Sequence, residues 1–245
     1  MRRLFYKGLL AEKIEITGTD AHHLMHVLRA KAGDEITVVD DEGRSARMAM
    51  EAFSEEAVTL RLKAYMELPA ESPVEITLAQ CLLKAEKMDF VVQKAVELGA
   101  KRVVPLASRN CVVRYDAKKR EERQARWQRI ADEAAKQCGR ATLMEVSPIE
   151  ELPSFLSDVA GGEGSLFLFC YENETMKSIK ECLGQSTARR VVLLVGPEGG
   201  FTPDEAEAAE AHGGISVTMG ERILRAETAA VAALAVVQYE KGDLG

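Results

Sequence analysis

Residues 191 to 228 constrain the fold of this 245-residue chain more than any other stretch. Val191-Val192-Leu193-Leu194-Val195 is a short, continuous apolar run without polar alternation, which predicts a strand buried on both faces of a parallel sheet. It stops at Gly196-Pro197-Glu198-Gly199-Gly200-Phe201, a loop whose glycines allow the backbone to approach a ligand closely. Thr202, Pro203 and Glu205 then supply an N-cap, a first-turn proline and the second half of a capping box, so a helix starts there. A second apolar segment, Ile215 to Gly220, leads through Glu221-Arg222-Ile223-Leu224-Arg225 into an Ala/Val-rich helix. Two strand–glycine loops close together predict a ligand held by backbone groups at the carboxyl ends of neighbouring strands, with Arg225 and Glu227 beside it. The spacing is neither G-x-G-x-x-G nor a Walker A loop, and taken alone it also suits an ordinary strand-to-helix turn.

These two motifs resemble those of the RsmE-type methyltransferases of the SPOUT class. The matching residues are Leu194 to Phe201 and Met219 to Ala229. The sequence departs from the family pattern at Met219, where leucine is usual, and at Ala226, where threonine is usual. The resemblance implies a trefoil-knotted, parallel-sheet α/β domain that binds S-adenosyl-L-methionine. It also implies methylation of N3 of a uridine in 16S ribosomal RNA of the small subunit, and a homodimer. The implied cofactor contacts are Phe169, Tyr171, Leu194, Val195, Gly196, Pro197, Gly199, Gly200, Met219, Gly220, Ile223 and Leu224. Arg225 is the candidate to stabilise the deprotonated uracil, and Glu227 to position Arg225 or relay the proton. Arg225 and Glu227 as a structural ion pair is the competing reading. No metal is required, because a sulfonium donor is already activated.

Upstream, residues 1–70 are β-rich, with period-two patterning at Ile14–Thr17, Glu35–Val39 and Ala57–Leu62 and a return strand from Arg44 to Glu51. A short helix from Asp20 to Arg29, capped by Thr19 or Asp20, interrupts them. Together they predict a small barrel, and the resemblance makes it a PUA-like RNA-binding domain. Leu68-Pro69-Ala70-Glu71-Ser72-Pro73 reads as the linker, dividing the chain into 1–70 and 71–245. Beyond it, strand 74–82, an amphipathic helix 84–98 with Phe90, Val91, Ala95 and Leu98 on its apolar face, and strand 101–106 predict a right-handed parallel crossover. A basic loop and long helix run from Arg109 to Arg140, with Trp127 and Ile130 inward. A short helix spans Ile149 to Asp158, and Ser165 to Cys170 forms another buried strand. The final helix, Thr228 to Tyr239, is apolar nearly all round and must pack against the rest of the fold or a second subunit.

The net charge is −7, which excludes a protein coated in basic surface. Positive charge is nevertheless concentrated. Residues 1–31 carry six Lys/Arg against three Asp/Glu, and 81–140 carry fifteen against eight. This asymmetry predicts a nucleic-acid face. Candidate RNA contacts are Arg2, His23, Arg29, Lys84, Lys87, Arg109, Gln137 and Arg140. Of these, His23, Arg29, Lys87, Gln137 and Arg140 also fall on family patterns. His22 and His26 share a helical face but have no third ligand nearby, so a metal site is not expected. Five scattered cysteines without a CxxC, no long apolar run and no signal peptide predict reduced thiols, no membrane span and a cytoplasmic location. A sister SPOUT activity on ribose or transfer RNA, a non-catalytic RNA-binding assembly factor and a phosphate-binding enzyme are the alternative functions.

Overall fold

The computed structural model describes residues 3–159 and 164–244. Its contacts divide into two compact units, one of 1–71 with 135–142 and the other of 72–134 with 143–245.

The first unit is a five-stranded sheet in the order β1-β3-β4-β5-β2. The strands are β1 (Arg3–Phe5), β2 (Lys13–Thr17), β3 (Glu35–Val39), β4 (Ser45–Phe53) and β5 (Ala57–Met66). β1 joins β3 in parallel, and the other pairs are antiparallel. Register shifts in the β4–β5 pair curl the sheet. Among the described residues β1 and β2 do not pair, so the sheet is an open half-barrel. Ile14, Ile16, Ile36, Val38, Met48, Val58 and Leu60 fill its concave side with Leu24. Asp40, 5% exposed, organises the β3–β4 turn by accepting from the backbone N–H of Leu10 and Arg44 and from Arg44 Nε. The helix expected at 20–29 begins earlier, as α1 (Gly18–His22), and continues as a π-helical turn over His23–Val27. Its N-cap is Thr17, without a side-chain cap bond, rather than Thr19 or Asp20.

The second unit is a seven-stranded, all-parallel sheet. Its main order is β12-β10-β11-β6-β7-β8, with β9 also on β7. The strands are β6 (Glu75–Cys81), β7 (Arg102–Ala107), β8 (Glu145–Val146), β9 (Glu150–Glu151), β10 (Ser165–Cys170), β11 (Arg190–Val195) and β12 (Ile215–Val217). Around it lie α2 (Lys87–Glu97), α3 (Ala117–Cys138), α4 (Leu152–Val159), α5 (Ile179–Gln185), α6 (Pro203–Ala211) and α7 (Ala226–Lys241). β10, β11 and β6 are the apolar, two-sided-buried strands that the sequence predicts. α2 differs in its inner face: Met88, Val91, Val92, Ala95 and Val96 are buried, whereas Phe90 is 44% exposed beneath Lys94. The stripe 88/91/92/95/96 follows the helical period, on a helix that starts at Lys87, three residues later than expected. α7 packs on α2 and α5, while α6 packs on β12 and α4. After β12 residues 218–225 therefore carry the chain from the helix that packs on β12 and α4 to one that packs on α2 and α5.

Candidate active site

Parallel strands β10, β11 and β12 end side by side, with Cys170 level with Val195 and with Val217. Their exit loops enclose a cavity of about 750 Å³ lined by residues 170–172, 174–175, 195–200 and 217–226, with Lys87 and Ala229. Such a volume lies in the range of small-molecule sites.

Each loop is fixed by its own chemistry. In the first, Glu174 accepts the N–H groups of Met176 (2.7 Å) and Lys177 (3.1 Å) and the hydroxyl of Ser216 (2.8 Å). The Met176 bond leads the causes that bring its carboxyl down to about 2. In the second, Thr202 caps α6 by accepting from Glu205 N–H, and Glu205 Oε2 accepts from Thr202 N–H at 2.9 Å, the capping box read from sequence. Gly200, at φ +66°, lies where a Cβ would run into the Glu172 carboxylate. Beneath this loop Gln80, fully buried, donates from Nε2 to the carbonyls of Cys81 (3.0 Å), Gly196 (3.2 Å) and Val195 (3.4 Å). In the third loop Thr218 Oγ1 accepts Gly220 N–H at 3.2 Å, and Gly220 takes φ +108° with open space where a side chain would be.

Of the residues named from sequence, Tyr171, Val195, Gly196, Pro197, Gly199, Gly200, Met219, Gly220, Ile223 and Leu224 line the cavity. Phe169 and Leu194 do not. They pair with each other one step back from the strand tips and are fully buried, with Phe169 edge-on to Phe201. The period-two alternation of the strand turns them away from the wall. Arg225, the N-cap residue of α7, lines the cavity, is exposed, and has no ion pair among the described residues. Glu227 does not line it. Its carboxylate turns to Lys87, whose Nζ stands 3.2 Å from Glu227 Oε2 and 3.2 Å from Glu198 Oε1. An Arg225–Glu227 pair is thus not formed. Lys87 takes that place, and its contact with Glu198, ahead of that with Glu227, raises its pKa.

The expected RNA contacts fall in both units. His23 opens the π-helical turn, Arg29 is exposed at φ +50°, and Gln137 is exposed in the last turn of α3. Arg140 is not available as expected. Its side chain is 10% exposed and holds Glu71 at 2.8 Å, while Glu71 also accepts from the N–H of Ala141 and Thr142. This bond set ties 140–142 to the linker, which is why that arginine is spent on structure. In the second unit Lys84 is exposed and donates its backbone N–H to Glu198, Lys87 is at the cavity wall, and Arg109 pairs with Asp204 at 2.6 Å. Arg2 lies outside the described residues. No group of three or more His, Cys, Asp or Glu side chains among the described residues is placed to hold a metal; the rings of His22 and His26 lie 4.6 Å apart, tilted by 45°. Among the described residues no helix is long and apolar enough to cross a membrane. Glu172 and Glu198 were read from sequence only as members of longer stretches, and Glu174, Thr218 and Gln80 were not singled out. Only Gln80, a polar residue at the end of an apolar strand, carried a signal that could have been read.

Comparison with known proteins agrees with this geometry. Residues 70–238 match the RNA methyltransferase domain family, and 16–63 match the RNA methyltransferase PUA domain family. The ribosomal RNA small subunit methyltransferase E of Bacillus subtilis is 30% identical, over 94% of this chain and 91% of its own. That of Synechocystis is 33% identical, over 94% and 74%. The Neisseria gonorrhoeae enzyme of the same name, solved bound to S-adenosyl methionine, superposes with a TM-score of 0.90 at 32% identity over the whole of both chains. A Legionella pneumophila methyltransferase solved with the same cofactor gives 0.90 at 31% identity, over 99% and 98%. With strand tips, cavity and full-length relatives in agreement, the chain belongs to the RNA methyltransferase family that includes the ribosomal RNA small subunit methyltransferases E.

Proposed function

We propose that this protein transfers a methyl group from S-adenosylmethionine to N3 of a uridine in the 16S ribosomal RNA of the small subunit. The observation that carries this reading is Arg225: a guanidinium without an ion-pair partner among the described residues, on the wall of a cavity made by three parallel-strand exits. The lining suits the donor. Val195, Val217, Leu224 and Ala229 give an apolar floor for a purine, and Glu172, Glu174, Glu198 and Glu221 give carboxylates for a sulfonium and an α-amino group. The backbone groups of Gly196, Gly199, Gly200, Met219 and Gly220 are the ones that would hold it.

When bound, S-adenosylmethionine supplies a methyl already activated toward a nucleophile. The chain's own task is to raise the nucleophilicity of a uridine N3 that carries a proton in the neutral base. Arg225 does this by donating to a uracil oxygen, which stabilises the anion left when the N3 proton departs. Glu227 does not line the cavity and acts through Lys87. It holds Lys87 at the wall, and Lys87 balances Glu198 so that the carboxylate density beside the base is reduced. RNA reaches the second unit through Lys84 and Arg109, and the half-barrel adds His23, Arg29 and Gln137. The uridine must leave any stacked or paired context to present N3.

The reading includes a homodimer in the cytoplasm. Val231, Ala232, Ala235 and Val236 on α7 are partly exposed, and Tyr239 is 66% exposed, on a helix whose opposite side is fully buried. The test uses small subunits lacking the modification, labelled S-adenosylmethionine and mass spectrometry of the digested RNA. N3-methyluridine at one position is the expected product. A 2′-O-methyl nucleoside, or no transfer, would overturn the uridine-N3 reading.

A further inference from the structure

The glycine loop is gripped by a side chain that no motif names. Asn110 Nδ2 donates to the carbonyls of both Gly199 and Gly200, each at 3.1 Å, across 89 and 90 residues of sequence. The amide can sit only this way round, because its oxygen would otherwise oppose two carbonyl oxygens.

Asn110 is itself held. Its neighbour Arg109 donates its backbone N–H to Glu205 Oε1 at 2.8 Å and its guanidinium to Asp204, so the turn is docked on the first turn of α6. On the other side Cys111 is buried, its N–H donating to Ser108 O at 3.2 Å, and Arg114 braces the carbonyls of Ser108 and Arg109. The loop in turn is shaped around the asparagine. Gly199 does not have a positive φ, so the turn itself does not demand glycine there. A Cβ at Gly199 would instead lie 3.1 Å from Asn110 Cβ and 3.3 Å from Asn110 O. Glycine at 199 is the residue that lets the two backbones meet. Gln80 grips the start of the same loop from below, at Val195 and Gly196. Side-chain amides thus hold carbonyls at both ends of the loop, which leaves its conformation independent of any ligand.

We propose that Asn110 is a positioning residue for the methyl-donor site: it pre-forms the Gly196–Gly200 wall, acting through the backbone without touching the donor. The proposal rests on the S-adenosylmethionine reading above. A pre-formed loop spares the ligand the entropy of ordering it, so loss of the clamp appears as weaker donor binding.

The test compares wild type with Asn110→Ala and with Asn110→Asp, which sets a carboxylate oxygen against the two carbonyls. Asn110 is exposed, so both variants fold. Calorimetry with S-adenosylhomocysteine is expected to show weakening of about tenfold for Ala and more for Asp. Amide exchange at 196–201 in the ligand-free chain is expected to speed up while the thermal midpoint stays put. In turnover the loss falls on KM for the donor rather than on kcat. Wild type binding the ligand while both variants bind it equally well would overturn the clamp. Wild type failing to bind would overturn the donor reading, and the clamp with it.

Discussion

At the scale of single residues, the site turns on which cation is spoken for. Lys87 is held between Glu198 and Glu227, whereas Arg225 has no ion pair among the described residues and lines the cavity. Arg225→Ala is therefore expected to reduce turnover by about two to three orders of magnitude, the cost of deleting one preorganised donor to a developing anion. Calorimetry is expected to leave donor affinity within about twofold of wild type, because Arg225 is assigned to the base and not to the donor; a collapse of binding would reassign Arg225 to the donor. Sequence made Arg225 and Glu227 conspicuous together, since both follow the second glycine loop and precede the last helix, beside the expected ligand; in the structure they cap and open α7. Residues two apart on a helix do not face each other, and Glu227 turned out to answer a lysine 140 positions earlier. No local pattern encodes that partner. Arg140 shows the same limit: its match to a motif was readable, its bond to Glu71 was not.

At the scale of elements, strands and caps were the most legible parts. Apolar runs bounded by turn residues gave β6, β7, β10 and β11 to within two residues, and Thr202 with Glu205 gave the start of α6. Phase was less legible. α2 rolled away from Phe90, and the first helix began two residues early with a π-helical turn, because packing sets rotation and propensity does not. Of the loop of residues 171–178 only its first two positions were read from sequence, as pocket wall, yet it has its own titratable hub. Glu174 has a folded-state carboxyl near 2 against an ordinary value of 4.5. A depressed carboxylate contributes stability that is fully present above the unfolded value and fades as pH falls toward the folded one. The difference in thermal midpoint between wild type and Glu174→Gln is expected to be constant above about pH 5.5 and to shrink between pH 4.5 and pH 2. A difference that grows with acid would refute the assignment.

At the scale of the whole molecule, the contacts divide the chain after Glu71 and place 135–142 with the first unit, an addition that no local composition marks. That segment belongs there by contacts made some seventy residues away in sequence, among them the backbone bonds of Ala141 and Thr142 to Glu71. The apolar outer side of α7 sets the prediction at this scale. A charge placed there, Ala235→Glu, is expected to turn the proposed dimer into a monomer by light scattering, with the fold kept by far-UV dichroism; an unchanged mass would remove α7 from the proposed interface. The cavity has a further consequence, one of integrity. Its three walls lie within 170–175, 195–200 and 217–226, segments distant in sequence that meet only because β10, β11 and β12 end side by side. No single stretch of the chain carries the pocket. A cut between the walls that lets the strands part therefore empties the proposed donor site, even where each strand and loop keeps its own sequence intact.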